Sequence, residues 1–134
     1  MQATVQTGCV TGGVRTLLRL EGLAVLTAAV FLYWRLGFSW SEFALLFLAP
    51  DLSFFAYLFG PRFGAAAYNV AHSTNGALGL AVAAVALNQS AVIAVALIWL
   101  AHIGFDRSLG YGLKYGAGFG FTHLGRIGRK AKEN

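Results

Sequence analysis

Charged side chains are scarce in this chain. Only 11% of its 134 residues are Asp, Glu, Lys or Arg, against about a quarter in a typical soluble domain. A chain of this length is expected to form one domain, and it has too few charges to cover the surface of a water-soluble one. The scarcity is also local. From Gly64 to His102 there is no Lys, Arg, Asp or Glu, a stretch well beyond the roughly 20 apolar residues that cross a bilayer.

Cysteine is nearly absent. Cys9 stands alone, so an intramolecular disulfide is excluded and the redox compartment is unconstrained. No apolar run precedes it, which argues against a lipid-anchored cysteine and leaves an incidental thiol in a loose N-terminus. The first apolar stretch continues to Trp34 without a small-residue cleavage site. It is longer than the apolar region of a secretory signal, so no cleaved leader is expected. Proline occurs only twice. Pro50 falls inside an apolar run, where its missing N–H should bend a helix or leave a carbonyl free near Leu46.

What is present is hydrophobic, at 57% of residues with mean hydropathy +0.65. The pattern predicts an all-α, polytopic membrane protein, a bundle of four transmembrane helices over about 17–36, 40–59, 63–87 and 91–109. Residues 1–16 read as a mobile tail, and 110–134 as a tail that is first Gly-rich and then basic. The third span carries Gly64, Ala65, Ala71, Gly76, Gly79 and Ala83. Small residues at such spacing allow close helix approach, either within the bundle or in a homo-oligomer.

The net charge of +5 and pI near 9.8 do not imply nucleic acid, because the basic residues sit at helix ends and in the tail. That placement suits topology and anionic headgroups, with the lipid bilayer as partner. Arg15, Arg19, Arg62, Lys114 and the basic tail share one side under a four-span topology, which predicts both termini in the cytoplasm and residence in a bacterial inner membrane.

Ionisable groups at membrane depth are costly and call for an account. Here they are Glu21, Asp51, His72, His102, Asp106 and Arg107, joined by Asn69 and Asn75. At about 1.5 Å of rise per residue, Asp51 and His72 lie roughly 12–14 Å from the cytoplasmic ends of their spans. His102 lies at about 10 Å, and the others are nearer the interface. All six fall in the cytoplasmic half, and all four spans contribute, which predicts one shared cluster. His102 and Asp106 are four apart on one helical face. Asn69, His72 and Asn75, each three apart, form a polar stripe with Tyr68.

Several chemistries use such a set. Asp51, His72 and His102, with Asp106 as a fourth ligand or as the group that orients one, are suitable for a divalent metal such as zinc or iron, with His123 as an additional ligand if the tail folds back. Asp106, orienting a ligand, and Glu21 are then the candidate catalytic groups of a metal-dependent membrane hydrolase acting on an amphipathic substrate. The same residues suit a proton or ion relay, the axial pair of a haem, or an accessory module held together by ordinary polar contacts such as Asp106 or Asp51 with Arg107 or Arg62. The run Gly110–Gly120 lacks the Gly-Lys-Ser/Thr of a phosphate loop and is interleaved with Tyr111, Tyr115 and Phe119. It reads as a flexible interfacial segment.

Several segments together carry a family resemblance: Leu48-Ala-Pro-Asp-Leu-Ser53, Gly60-Pro-Arg62, Tyr68-Asn-Val-Ala-His72, Trp99-Leu-Ala-His-Ile-Gly-Phe-Asp-Arg107, Gly110-Tyr-Gly-Leu-Lys114 and Thr122-His-Leu-Gly125. They resemble a small bacterial integral-membrane family known only as a domain of unknown function. The resemblance spans about 17–128 and implies the four-helix bundle but no activity. Pro50-Asp51 and His72-Ser73 are also similar to segments of the membrane-bound metal-dependent hydrolases, which implies a metal site. Ser53, Asn69 and Val70 depart from that pattern, where it has Asp, His and Arg.

Overall fold

The computed structural model describes residues 9–116 and 119–127. Its elements are α1 (Gly12–Arg35), α2 (Trp40–Leu46), a 3-10 helix (Ala49–Phe59), α3 (Pro61–His72), α4 (Thr74–Ala86), α5 (Ser90–Leu109), and a short hairpin of β1 (Phe121–Thr122) and β2 (Gly125–Arg126). Three stretches, Gly12–Arg35, Trp40–Phe59 and Ser90–Leu109, are long and apolar enough to cross a membrane, and Thr74–Ala86 is a shorter apolar helix. Large apolar side chains cover the outside, with Leu45, Leu58 and Phe59 about four-fifths exposed. This surface suits hydrocarbon rather than water as solvent.

Four features depart from the expectation of plain spans joined by loose tails. First, α1 begins at Gly12, with Thr11 as its N-terminal flank, so the structured part starts before residue 17. Residues 1–8 of the expected mobile tail, and residues 128–134 with most of the basic run, lie outside the described residues.

Second, the run over 40–59 changes winding. α2 ends at Leu46, the residue whose carbonyl would need the N–H that Pro50 lacks. The chain then tightens to i→i+3 winding, with Asp51 N–H donating to Leu48 O at 3.0 Å. Three residues per turn align every third side chain on one face. Asp51, Phe54 and Tyr57 thus stand in one row against α3, while Leu52, Phe55 and Leu58 form an exposed apolar row. On α3 the receiving row is Gly64, Tyr68 and His72, four apart. Phe54 meets the Tyr68 ring at 5.3 Å, and a Cβ on Gly64 would collide with the Tyr57 ring.

Third, the expected helix over 63–87 is broken at Ser73, which is extended (φ −83°, ψ 137°). The Ser73 hydroxyl accepts from Asn75 N–H at 3.3 Å to start α4. The break strands the carbonyls at the end of α3, which then need donors from elsewhere in the fold. α5 supplies the donors: Trp99 Nε1–H donates to Ala71 O at 2.5 Å and Arg107 Nη2–H to His72 O at 3.0 Å. On α4, Ala77 and Ala84 are buried, and a Cβ on Gly76 would press on the Trp99 ring.

Fourth, the Gly-rich tail is packed, not loose. α5 ends at Gly110 (φ 94°), with Gly110 N–H on Arg107 O and Tyr111 N–H on Asp106 O, a Schellman turn. The chain then folds back. Tyr115 N–H donates to Phe121 O, His123 N–H to Leu113 O, and Val10 N–H to His123 O. Leu124 and Thr122 of the hairpin, and Lys114, are buried.

The longest packing interface joins α1 to α5. Glycines set its closeness: a Cβ on Gly104 would lie 2.5 Å from Leu26 N and 2.7 Å from Gly22 O, and one on Gly22 would collide with Arg107. Arg19 Nε–H donates across it to Ser108 O at 3.0 Å, near the end of α5. Because neither backbone can give way cheaply, Gly104→Val is expected to destabilise the protein by about 1–3 kcal/mol, as overpacking does. It should lower the thermal midpoint in detergent. Gly79→Ala, where a Cβ would meet nothing within 4 Å, is expected to leave the midpoint unchanged or raise it. Equal midpoints for Gly104→Val and the parent would contradict the close α1–α5 approach.

Candidate metal centre

Asp51 enters from the 3-10 helix, His72 from the last residue of α3, and His102 and Asp106 from one face of α5. One ligand atom from each lies within 4.8 Å of every other. His72 Nε2 is 3.2 Å from Asp51 Oδ1 and 3.4 Å from Asp106 Oδ2. His102 Nε2 is 3.2 Å from both, and the two Nε2 atoms are 3.1 Å apart. Both histidines are buried, whereas the Asp51 side chain is one-third (34%) exposed and that of Asp106 16%.

Two-centre hydrogen bonds are too few to account for all of these contacts. His72 Nδ1 lies 2.9 Å from Tyr68 O, and a carbonyl only accepts, so Nδ1 carries the proton and the neutral ring presents a bare lone pair at Nε2. Each Nε2 holds at most one proton, yet five contacts of 3.1–3.4 Å converge. With both carboxylates ionised, at most two of them can be two-centre hydrogen bonds. The remainder set lone pair against lone pair unless a cation sits among them. A tetrahedron with metal–ligand bonds of about 2.0 Å has six edges of about 3.3 Å; five of the six separations match that edge, and the sixth, between Asp51 and Asp106, falls within 4.8 Å.

The surroundings hold the ligands in place. The Tyr68 ring stacks on His72 at 3.8 Å. The Phe47 ring meets His102 edge-on at 5.4 Å. His102 Nδ1 is buried without a hydrogen bond of ordinary geometry, although the ring lies against the Phe47 backbone. Arg107, expected on a purely structural reading to pair with an aspartate, instead holds the carbonyl of the ligand residue His72.

Two of the expected site residues stand elsewhere. Glu21 is exposed on α1 and lines a separate cavity of about 260 Å³ with Gly22, Thr74, Gly104 and Arg107. The close α1–α5 crossing puts it on the side of α5 that faces α1. His123 is a fastener of the tail: its Nδ1 accepts from Leu113 N–H at 2.9 Å, which commits that nitrogen away from any metal. Burial and the Arg107 charge hold the His123 pKa below its ordinary value, which keeps that nitrogen free to accept. Asp106, expected to orient a ligand, offers its own oxygen as directly as Asp51 does.

The sequence reading overlooked that the tail is anchored beside this centre, on the turn of α3 that precedes His72. Asn69, one turn before His72, grips the backbone of Lys114 at both ends: Asn69 Nδ2–H donates to Lys114 O at 2.7 Å, and Lys114 N–H donates to Asn69 Oδ1 at 2.6 Å. The Lys114 ammonium donates to Phe119 O at 2.8 Å and sits 3.7 Å over the Phe119 ring and 4.7 Å over that of Tyr68, a cation–π arrangement. Burial lowers its pKa to about 8, against an opposing pull from Asp106. The available signal was a lone Lys within the Gly/aromatic run.

The family model described as Domain of unknown function (DUF4260) matches residues 15–127, so the chain belongs to that family. No curated protein and no solved structure matches it.

The Lys114 environment has a pH signature. The folded chain releases this proton near 8, while the unfolded chain keeps it to about 10.5. The unfolded state therefore binds the extra proton between those values, and stability rises with pH across that window. Thermal midpoints in detergent are expected to climb between pH 8 and pH 10 in the parent, and this increment should vanish in Lys114→Met. The same slope in both proteins would show that Lys114 titrates normally.

Proposed function

We propose that this chain is a four-span protein of a bacterial inner membrane that binds one divalent metal ion, zinc or iron, through Asp51, His72, His102 and Asp106, and that the centre serves metal-dependent hydrolysis of an amphipathic substrate. The broken pair α3–α4 forms the third span, α1, α2 with the 3-10 helix, and α5 being the others. Both termini face the cytoplasm, so the centre lies in the inner leaflet. Discontinuous helices are tolerated at membrane depth where they line a functional site.

The observation that carries the metal reading is the convergence of four ligand atoms, five of whose six separations are 3.1–3.4 Å, with too few ring protons to bridge them one by one. Two imidazoles and two carboxylates suit zinc or iron. An axial haem pair needs its histidines on opposite faces of the macrocycle, and nitrogens 3.1 Å apart leave no room for one. A divalent ion held here would polarise a carbonyl or phosphoryl oxygen and activate water. Asp51 is the ligand nearest the outside, so the approach for water or substrate is from its side. A closed set of four protein ligands is also the pattern of a structural site. That favours a second, non-enzymatic reading in which the ion pins three helices.

Elemental analysis of protein purified without chelator is expected to find about one zinc or iron per chain. His72→Ala and His102→Ala should lose most of it, while Glu21→Gln and His123→Ala retain it. Protein that is metal-free and takes up no zinc on dialysis would sink the proposal. In the cobalt-substituted protein, a visible spectrum that shifts on adding azide would mark an open position, as a catalytic site needs; an inert spectrum would favour the structural reading. For topology, a C-terminal reporter that is active only outside the cytoplasm should stay silent.

A further inference from the structure

The cavity of about 260 Å³ beside the α1–α5 crossing is lined by charge of both signs, Glu21 from α1 and Arg107 from α5. No ion pair joins the two, and Glu21 has no hydrogen-bond partner among the described residues. Arg107 is partly buried. Its guanidinium carries five N–H donors. One goes to His72 O at 3.0 Å, and no other described residue accepts from the rest. A partly buried cation with free donors calls for an anion. Thr74, the first residue of α4, lines the same cavity, so the positive end of that helix dipole adds to Arg107. Glu21 calls for a cation. An anion alone would be repelled by Glu21 and a cation alone by Arg107. The occupant that answers both is a zwitterion, which leaves no net charge behind.

The cavity is polar at one end only. The close approaches of Gly22 to Arg107 and of Gly104 to Leu26 show that α1 and α5 run antiparallel. Glu21 and Arg107 therefore stand together at one end. Val25 and Ile103, which also line the cavity, lie about 6 Å further along at 1.5 Å per residue. Beyond them Ala29, Ala77 and Ala101 belong to one buried cluster, which closes the inner end. Arg107 is two residues from the end of α5 at Leu109, so the charged end is at the membrane face and the apolar end is inward. α5 packs on both α1 and α4, whereas α1 and α4 have little contact of their own. The cavity thus sits in a cleft on the flank of the bundle.

We propose that this cavity seats the zwitterionic headgroup of a bilayer phospholipid, its phosphate on Arg107, its primary ammonium on Glu21 and its glycerol carbons against Val25 and Ile103. The assignment goes beyond the metal centre and rests only on the membrane placement of the helices. The volume, about nine water volumes at ~30 Å³ each, takes a headgroup and little more, so the chains continue in the bilayer. A free solute such as O-phosphoethanolamine carries the same two charges. The apolar inner end and the position on the flank favour the lipid, whose carbon atoms fill that end without stranding a polar group.

The experiment uses the full chain in dodecyl maltoside, incubated with equal amounts of dioleoyl phosphatidylethanolamine and dioleoyl phosphatidylglycerol. Native mass spectrometry reads the lipids retained. The headgroups share the phosphate and differ in the ammonium, so the ratio of the two reports the Glu21 contact even where basic helix ends draw the anionic lipid elsewhere. Glu21→Gln is expected to lower the ratio of phosphatidylethanolamine to phosphatidylglycerol about two- to five-fold, the size of an exposed ion pair. Glu42→Gln on α2 should leave it unchanged. A ratio that ignores Glu21→Gln, or responds equally to Glu42→Gln, would overturn the proposal. Arg107→Gln should remove the most tightly held lipid, and its retention as in the parent would count against the phosphate contact. If Arg107→Gln does not fold, Leu18→Trp, which fills the charged end of the cavity, serves in its place with the same outcomes. O-phosphoethanolamine at the lipid's concentration should leave the bound lipid in place; displacement would reassign the cavity to a soluble zwitterion.

Discussion

Two imidazole nitrogens and two carboxylate oxygens brought to within 3.1–3.4 Å of their neighbours impose the constraint on which the rest of this structure depends. In an apolar surrounding, lone pairs so placed repel strongly unless positive charge lies among them. Every irregularity of the fold serves that convergence. Asp51 reaches the site because the chain after Pro50 winds with three residues per turn. His72 reaches it as the final residue of a helix that stops there. His102 and Asp106 are neighbours on one face of α5, which is held against α1 at two glycines.

The break after His72 would be unsustainable without its partners. Carbonyls freed at a buried helix end need donors, and Trp99 and Arg107 from α5 supply them. The same helix thus provides two ligand atoms and the two donors that stabilise a third ligand's backbone. The tail closes the other side. Asn69 and the ring of Tyr68 link the α3 helix to Lys114, so the segment after α5 is bound to the same turn of helix that presents His72. Metal reading, helix break and folded tail are parts of one packing solution.

Much of the site was legible before the fold was known. Asp51, His72, His102 and Asp106 stand out because ionisable groups are so rare in this chain, and because counting residues from the span ends puts them at similar depth. Glu21 and His123 pass the same test of residue type yet lie elsewhere. Depth along a helix says nothing about the direction in which a side chain leaves it. Glu21 points into the cavity beside the α1–α5 crossing, and His123 gives its ring nitrogen to a backbone amide. Asn69 appeared as part of a polar stripe, but its role as a clamp on Lys114 needs a contact across 45 residues of chain.

Composition and periodicity alone determined the apolar helical character of this protein, the scarcity of charge, and the identity of the polar residues that a membrane helix must account for. Those follow from solvation, which acts residue by residue. Only the tertiary structure decided that Asp51 faces His72 at 3.2 Å from the 3-10 helix, that the expected third span is two helices, and that a glycine-rich tail is fastened to α3 beside the site. These depend on which carbonyls are left unpaired and which donors on a neighbouring helix can reach them. That is a property of pairs of elements, and no single stretch of sequence carries it.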